Sequence, residues 1–122
     1  MKKILIVDDH ADIRRLIRLT LEFESYHIFE AADGESAIEL AKVNHPDVVL
    51  LDVMMPGKIN GLEVCRHIKA DAGLTGVTVI LLSACGQARD REAGLQAGAD
   101  AYLVKPFSPL QLIDYLAATM DT

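Results

Sequence analysis

The amino-acid sequence predicts an α/β fold: a doubly wound, five-stranded parallel sheet in the order 2-1-3-4-5, covered by five helices. Short, continuous apolar runs recur along the chain, and such runs are typical of strands that are buried on both faces. The segments between these runs carry apolar residues at helical spacing. Alternating strands and helices joined by right-handed crossovers form a parallel sheet with helices on both faces, and five strands suit the flavodoxin-like order.

The predicted strands are apolar or extended segments bounded by charged or turn-forming residues. They cover residues 4–7, 26–31, 47–51, 77–82 and 101–104. In this architecture a ligand lies beyond the carboxyl ends of the strands, near the switch point between strands 1 and 3.

The first three predicted helices are marked by apolar residues three or four positions apart. Their inward-facing residues are Ile13, Leu16, Ile17 and Leu21 in helix 1, Ala37, Ile38, Leu40 and Ala41 in helix 2, and Leu62, Val64, Cys65 and Ile68 in helix 3. The run Asn44-His45-Pro46 closes helix 2, because the residue before a proline disfavours helical backbone.

The last two helices differ in how strongly they are marked. Helix 4 covers about residues 87–97 and is poor in large apolar residues, with Leu95 nearly alone and Gly98 as its C-terminal stop. Helix 5 begins at Ser108 as N-cap and Pro109 as first residue. Its apolar face is predicted to comprise Leu110, Leu112, Ile113 and Leu116.

Length and charge restrict the class of protein. The chain has 122 residues, which predicts a single domain over residues 1–122. Its 12 basic and 18 acidic residues give a net charge of −6, which argues against a nucleic-acid surface. Cys65 and Cys85 have no metal-type spacing, and the first apolar run is too short for a signal peptide or membrane span. We expect a cytoplasmic protein with two reduced thiols.

Polar side chains follow the predicted strands at one edge of the sheet. Asp8 and Asp9 follow strand 1, Asp52 follows strand 3, Ser83 follows strand 4 and Lys105 follows strand 5. Each residue alone would be an ordinary loop residue or helix cap, but together they lie where this architecture binds ligands. Two carboxylates about 4 Å apart repel by about 4 kcal/mol at an effective dielectric near 20, so the cluster calls for a cation. Oxygen ligands with open positions suit Mg²⁺.

Five motifs, in order along the chain, resemble those of the receiver domain of two-component response regulators. They are Ile-Leu-Ile-Val-Asp-Asp (4–9), Leu-Leu-Asp-Val-Met-Met-Pro-Gly (50–57), Leu-Leu-Ser-Ala (81–84), Gly-Ala-Asp-Ala-Tyr (98–102) and Lys-Pro-Phe (105–107). Each motif alone is weak, whereas their combination is specific and covers essentially the whole chain.

The resemblance implies a role for each residue at the predicted edge. Asp52 would accept a phosphoryl group from a sensor histidine kinase or a histidine phosphotransfer protein. Asp8, Asp9, Asp52 and the backbone carbonyl of Met54 would hold Mg²⁺, with Mn²⁺ as a substitute. Lys105 and Ser83 would bind phosphoryl oxygens. Lys105-Pro106 would be a cis peptide.

The resemblance also implies a switch that acts on a downstream protein or output domain, rather than an enzyme with an external substrate. Phosphorylation adds about −1.5 to −2 charges and new acceptor oxygens. Ser83 would move toward the phosphoryl group and Tyr102 would turn inward. The surface that changes would be helix 4, strand 5 and helix 5, roughly residues 87–119. We expect no direct contact with nucleic acid or membrane.

The sequence departs from the common receiver pattern in ways that carry expectations. The loop after Asp52 is one residue longer, with Asn60 where Asp is usual, and we expect the loop to absorb the change. Met54 and Cys85 occupy positions where polar residues orient a hydrolytic water, so we expect slow loss of the phosphoryl group. Cys85 itself is expected to be a small buried residue, with a redox role near the proposed site as the alternative. Leu110 stands where dimerising receivers often carry Arg, which disfavours that mode of dimerisation.

Other charged residues are assigned ordinary roles. The stripe Arg14, Arg15 and Arg18 on helix 1 is expected to be solvated, with docking of a kinase as the alternative. His10 follows the acidic pair and is expected to be solvated, as are the other three histidines, with contact to a partner as a weaker possibility.

Two other functions compete with the switch. A Mg²⁺-dependent phosphohydrolase would need a second Asp two residues after Asp52, where this chain has Met54. A flavodoxin-like cofactor binder would need a phosphate-binding loop rich in Gly, Ser or Thr after strand 1, where Asp8-Asp9-His10 stands. The sequence leaves the kinase, the input signal, the output and the oligomeric state open, and does not decide whether the chain acts alone or within a longer protein.

Overall fold

The computed structural model describes residues 2–22, 25–55 and 57–120, and the side chains of all of these except residues 119 and 120. This part of the chain forms a five-stranded sheet in the order β2-β1-β3-β4-β5, and every pair of neighbouring strands is parallel. The strands are β1 (Lys2–Val7), β2 (Tyr26–Ala31), β3 (Val48–Asp52), β4 (Thr78–Ser83) and β5 (Ala101–Val104). The predicted fold class and strand order are confirmed.

Helices follow all five strands, as the alternating pattern predicts. They are α1 (Ala11–Leu21), α2 (Gly34–Asn44), α3 (Gly61–Ala70), α4 (Ala88–Gln96) and α5 (Pro109–Met120). A short 3₁₀ turn at Ala72–Leu74, which was not among the predicted elements, links α3 to β4. None of the described helices is long and apolar enough to cross a membrane.

The three central strands are buried on both faces, which explains their continuous apolar sequences. In β1, Leu5 and Val7 pack into one core with α2 and α3, whereas Ile4 and Ile6 pack into a second core with α1 and α5. Every residue of Val48–Asp52 is buried. Because side chains alternate across a strand, these strands need apolar residues at successive positions rather than at every second one.

Helix ends near the functional edge are fixed by local hydrogen bonds. The Asn60 side chain accepts from the backbone N–H of Glu63, and the Glu63 carboxylate accepts from the Asn60 N–H, which together form a capping box for α3. Asn at this position therefore caps the helix in the place where Asp is usual. Ser108 and Gln111 cap α5 in the same reciprocal way. Gly98 follows α4 with a φ of +97°, which suits glycine.

Three predicted burials are wrong. Leu16 and Leu110 are 56% and 66% exposed, because their helices turn Ile17 and Leu112 toward the sheet instead. Cys85 is exposed, because β4 ends at Ser83 and Cys85 lies on the loop that follows. The longer loop after Asp52 includes Pro56, which lies outside the described residues, so its course stays a prediction there.

Candidate functional site

The carboxyl ends of β1 and β3 place two carboxylates in the protein interior. Val7 pairs with Leu51 in the sheet, so Asp8 and Asp52, the next residues of each strand, reach the edge side by side. Asp8 is 0% exposed and Asp52 is 3% exposed. Burying a carboxylate without a partner is costly, so each of these residues needs a cation or several hydrogen bonds.

Lys105 supplies a positive charge to both buried carboxylates. Its Nζ lies 3.1 Å from Asp8 Oδ2 and 3.4 Å from Asp52 Oδ1. The Lys105 backbone N–H donates to the Ser83 carbonyl at 2.8 Å, which holds the end of β5 against β4. The Lys105-Pro106 peptide bond is cis. Lysine and both carboxylates are thus brought together from three strands.

The pKa of Asp52 is raised from its ordinary value, first by burial and then by the neighbouring Asp8 charge. The Lys105 ammonium and the Met54 backbone N–H, which donates to Asp52 Oδ1 at 3.3 Å, oppose this rise in pKa. Met54 therefore contacts the site through its backbone N–H, although the residue as a whole is 67% exposed. The role of its carbonyl as a metal ligand stays a prediction.

Asp9 and His10 complete an acidic cluster at this edge. Asp9 Oδ1 is buried and has no hydrogen-bond partner among the described residues. His10 Nδ1 lies 3.1 Å from Asp8 Oδ1 and 3.3 Å from Asp9 Oδ1. The hydrogen bond to Asp8 and the charges of Asp8 and Asp9 raise the pKa of His10. His10 was expected to be solvated, and its side chain is 61% exposed; its ring nitrogen also contacts both carboxylates.

The cluster fits a divalent cation. One ligand atom from each of Asp8, Asp9, His10 and Asp52 lies within 4.8 Å of the others. Three carboxylates offer the oxygen ligands that Mg²⁺ prefers. The buried Asp9 oxygen accepts no hydrogen bond among the described residues, so it has a desolvation penalty that a cation would offset.

The residues predicted to form the switch are connected through one loop. Ser83 is buried, and its Oγ accepts from the Cys85 backbone N–H at 3.0 Å. The Cys85 carbonyl accepts from the Tyr102 hydroxyl at 2.6 Å. Tyr102 is 6% exposed, so its ring already lies inside the protein.

Helix α4 rests on the Tyr102 ring. A Cβ at Gly94 would lie 2.9 Å from both Leu81 Cδ1 and Tyr102 Cδ2, so glycine allows the helix to approach the sheet closely. The Arg91 guanidinium lies 5.7 Å from the centre of the Tyr102 ring, within cation–π range. Gly94 is the one residue of α4 that is buried, which agrees with the weakly apolar sequence of this helix.

The arginine stripe on α1 is mostly engaged rather than simply solvated. Arg14 donates to the Asp8 backbone carbonyl at 2.7 Å and to Glu30 Oε1 at 3.1 Å. Arg18 pairs with the other Glu30 oxygen at 2.8 Å. These contacts tie the loop that carries the acidic pair to α1 and β2. Their spacing in sequence, 16 residues for Arg14 and Glu30, gives no local signal by which they could have been found.

Comparison with known proteins agrees with this geometry. Residues 4–117 match the family model for the response regulator receiver domain. The transcriptional regulatory protein ResD of Bacillus subtilis (strain 168) is 47% identical over 91% of this chain and 45% of its own length. The phosphate regulon transcriptional regulatory protein PhoB of Escherichia coli (strain K12) is 38% identical over 98% of this chain and 52% of its own. The chain thus spans about half the length of these curated relatives.

Solved structures show the same fold. The chemotaxis protein CheY4 of Vibrio cholerae superimposes with a TM-score of 0.91 at 31% identity, covering 98% of this chain and 99% of that one. The BeF3-activated receiver domain of DrrB gives a TM-score of 0.88 at 32% identity, covering 100% of this chain and 99% of that one. The chain belongs to the response regulator receiver domain family.

Proposed function

We propose that this chain is a phospho-acceptor switch in which Asp52 receives a phosphoryl group in a Mg²⁺-dependent reaction. One observation carries the proposal. Asp52 is a buried carboxylate at the end of a central strand, with Lys105 Nζ at 3.4 Å and the Asp8 carboxylate beside it. A carboxylate that only stabilised the fold would not need a second and a third carboxylate at the same edge.

The proposed reaction is a transfer from a phosphohistidine to the Asp52 carboxylate. An Asp52 oxygen forms a bond to phosphorus as the phosphorus–nitrogen bond of the donor breaks. The electron pair of the broken bond returns to the nitrogen of the departing imidazole. Lys105, which already reaches the acceptor carboxylate, neutralises charge on a phosphoryl oxygen. When bound, Mg²⁺ would supply further neutralisation of phosphoryl charge and fix the orientation of the reactants.

Transmission of the signal would use the contacts around Cys85. Ser83 Oγ accepts the Cys85 N–H, and the Cys85 carbonyl accepts the Tyr102 hydroxyl. If Ser83 moves toward a phosphoryl oxygen, the loop between Ser83 and α4 moves with it. Tyr102 and the thinly packed α4 would then change the surface formed by α4, β5 and α5.

The expected partners follow from the family and remain part of the proposal. A sensor histidine kinase or a histidine phosphotransfer protein would donate the phosphoryl group, and a downstream protein or output domain would respond. The named relatives ResD and PhoB are transcriptional regulators about twice as long as the aligned region, which supports an output domain as one such target. A cytoplasmic location and a single domain over residues 1–122 also stay in this proposal.

Phosphorylation by a small donor tests the proposal. Wild-type protein incubated with acetyl phosphate and Mg²⁺ should gain the mass of one phosphoryl group, and Asp52→Asn should gain none. Asp114→Asn, at an exposed position on α5, is the matched control and should behave as wild type. Modification of Asp52→Asn at the wild-type rate would refute Asp52 as acceptor. Continuous turnover of diverse phosphate esters would instead favour a phosphohydrolase.

A further inference from the structure

The metal site of the proposed function has a feature that its three carboxylates do not explain, the imidazole of His10. We propose that His10 Nδ1 is a metal ligand, and that it increases the preference of the site for first-row transition cations such as Co²⁺, Ni²⁺ or Zn²⁺ over Mg²⁺. The inference rests on the proposed metal site and concerns which ion that site selects.

The spacing of the ligand atoms supports a shared ion. In an octahedral site with ligands about 2.1 Å from the metal, adjacent ligands lie about 3 Å apart and opposite ones about 4.2 Å apart. His10 Nδ1 is hydrogen-bonded to Asp8 Oδ1 at 3.1 Å and lies 3.3 Å from Asp9 Oδ1, and both distances are also close to the spacing of adjacent ligands. The full set, with Asp52, lies within 4.8 Å, which a small movement would bring into range.

The ring is held near the carboxylates by its own backbone. The His10 N–H donates to Asp8 Oδ1 at 2.9 Å, and the His10 carbonyl accepts from the Arg14 N–H at 3.1 Å. The Arg14 guanidinium also donates to the Asp8 backbone carbonyl at 2.7 Å. His10 and Asp8, the two candidate ligands, are therefore positioned by the same turn. Less conformational entropy would then be lost when both bind a metal ion.

The chemistry of the ligand set sets the expected preference. Imidazole nitrogen is a good ligand for first-row transition ions and a poor one for Mg²⁺, which prefers oxygen. The carboxylates alone would already favour transition ions to some degree. The contribution of His10 is therefore measured by comparing the loss of affinity for a transition ion with the loss of affinity for Mg²⁺ in the same variant. The affinity for either ion alone does not measure it.

Calorimetric titration with each metal alone tests the proposal. Wild type, His10→Ala and His67→Ala are titrated separately with Co²⁺ and with Mg²⁺ in an alkaline buffer, so that the imidazole is unprotonated. Loss of a partner outside the ligand shell costs about 10- to 100-fold in metal affinity, so loss of a ligand should lower Co²⁺ affinity at least about tenfold. Mg²⁺ affinity should change less than about twofold. His67, exposed on α3, is the matched control and should leave both affinities unchanged.

A second measurement reports on the ring itself. Zn²⁺ added to ¹⁵N-labelled wild type should shift the Nδ1 resonance of one histidine, and that histidine should be absent from His10→Ala. His10 makes no side-chain cap to α1 and its side chain is 61% exposed, so the alanine variant should fold normally. Equal losses of Co²⁺ and Mg²⁺ affinity, or no loss of either, would overturn the proposal. Failure of wild type to bind either ion would instead overturn the metal site of the proposed function.

Discussion

Replacing Gly61 by alanine should damage both the stability of the protein and its phosphorylation. Gly61 is the buried first residue of α3, and its N–H donates to the Val53 carbonyl at 3.1 Å. A Cβ at this position would overlap the Asp52 carbonyl oxygen and lie 2.7 Å from Val53 Cα and 2.9 Å from the Asp52 carbonyl carbon. These are backbone atoms, which cannot rotate away, so the helix or the end of β3 must move.

The magnitude follows from two opposing effects. Inserting a methyl group into a filled interior costs about 1–3 kcal/mol, and contact with backbone places Gly61→Ala toward the upper end. Alanine also lowers the conformational entropy of the unfolded chain, which stabilises the folded state by about 0.4–1 kcal/mol. We therefore expect a net loss of about 1–2.5 kcal/mol in the free energy of unfolding. Gly76→Ala is the control, because a Cβ there meets no atom within 4 Å.

Urea unfolding followed by far-ultraviolet circular dichroism measures the stability, since the chain has no Trp. The rate of phosphorylation by acetyl phosphate reports on the position of Asp52. Gly61→Ala should be less stable and slower to react than Gly76→Ala, which should match or exceed wild-type stability. Wild-type stability and wild-type phosphorylation in Gly61→Ala would show that the close packing of α3 against Asp52 has no functional consequence, and would refute this reasoning.

Four further predictions concern the same region. Asn60→Ala removes the α3 capping box and should cost about 0.5–2 kcal/mol in urea unfolding, with no loss expected if solvent caps the helix equally well. Tyr102→Phe removes the buried hydroxyl that donates to Cys85 and should cost about 0.5–1.5 kcal/mol by the same measurement. Burial raises the pKa of Cys65 from 9.0 to about 11, so the folded state favours the neutral thiol. That contribution is present below pH 9 and is lost toward pH 11, so the stability difference between wild type and Cys65→Ala should shrink over this range. Phosphoryl loss from Asp52 in the presence of Mg²⁺ should be slow, and a lifetime of seconds would contradict this expectation.

The fold could be predicted because its central strands carry a simple signal. A strand covered on both faces needs consecutive apolar residues, so Ile4 to Val7 differs in sequence from any amphipathic helix. The position of the site follows from the same signal. Once the strands are parallel, the residues after β1, β3 and β5 must share an edge, which is where the structure places Asp8, Asp52 and Lys105.

The remaining details depend on choices that local sequence does not encode. Leu16 and Ile17 are both apolar, and the sequence does not say that the helix turns Ile17 inward and leaves Leu16 56% exposed. The exposure of Cys85 depends on where β4 ends. The contact of Arg14 with Glu30 depends on the packing of α1 beside β2. Each of these outcomes is decided by tertiary packing between segments distant in sequence.

The charge at the site indicates how phosphorylation would act. An added charge of about −1.5 to −2 holds for phosphorylation of an uncharged hydroxyl. Asp52 would give up its own carboxylate charge when the mixed carboxylic–phosphoric anhydride forms, so the net change here is only about −0.5 to −1. The positive charges of Lys105 and a bound divalent cation would largely offset so small a change in charge. The new acceptor oxygens are the larger perturbation. Ser83 Oγ is the acceptor in its bond with the Cys85 N–H, so its own proton is the one to donate to a phosphoryl oxygen. The Cys85 carbonyl also accepts the Tyr102 hydroxyl. A rearrangement of these hydrogen bonds, rather than the added charge, would therefore carry the signal to α4.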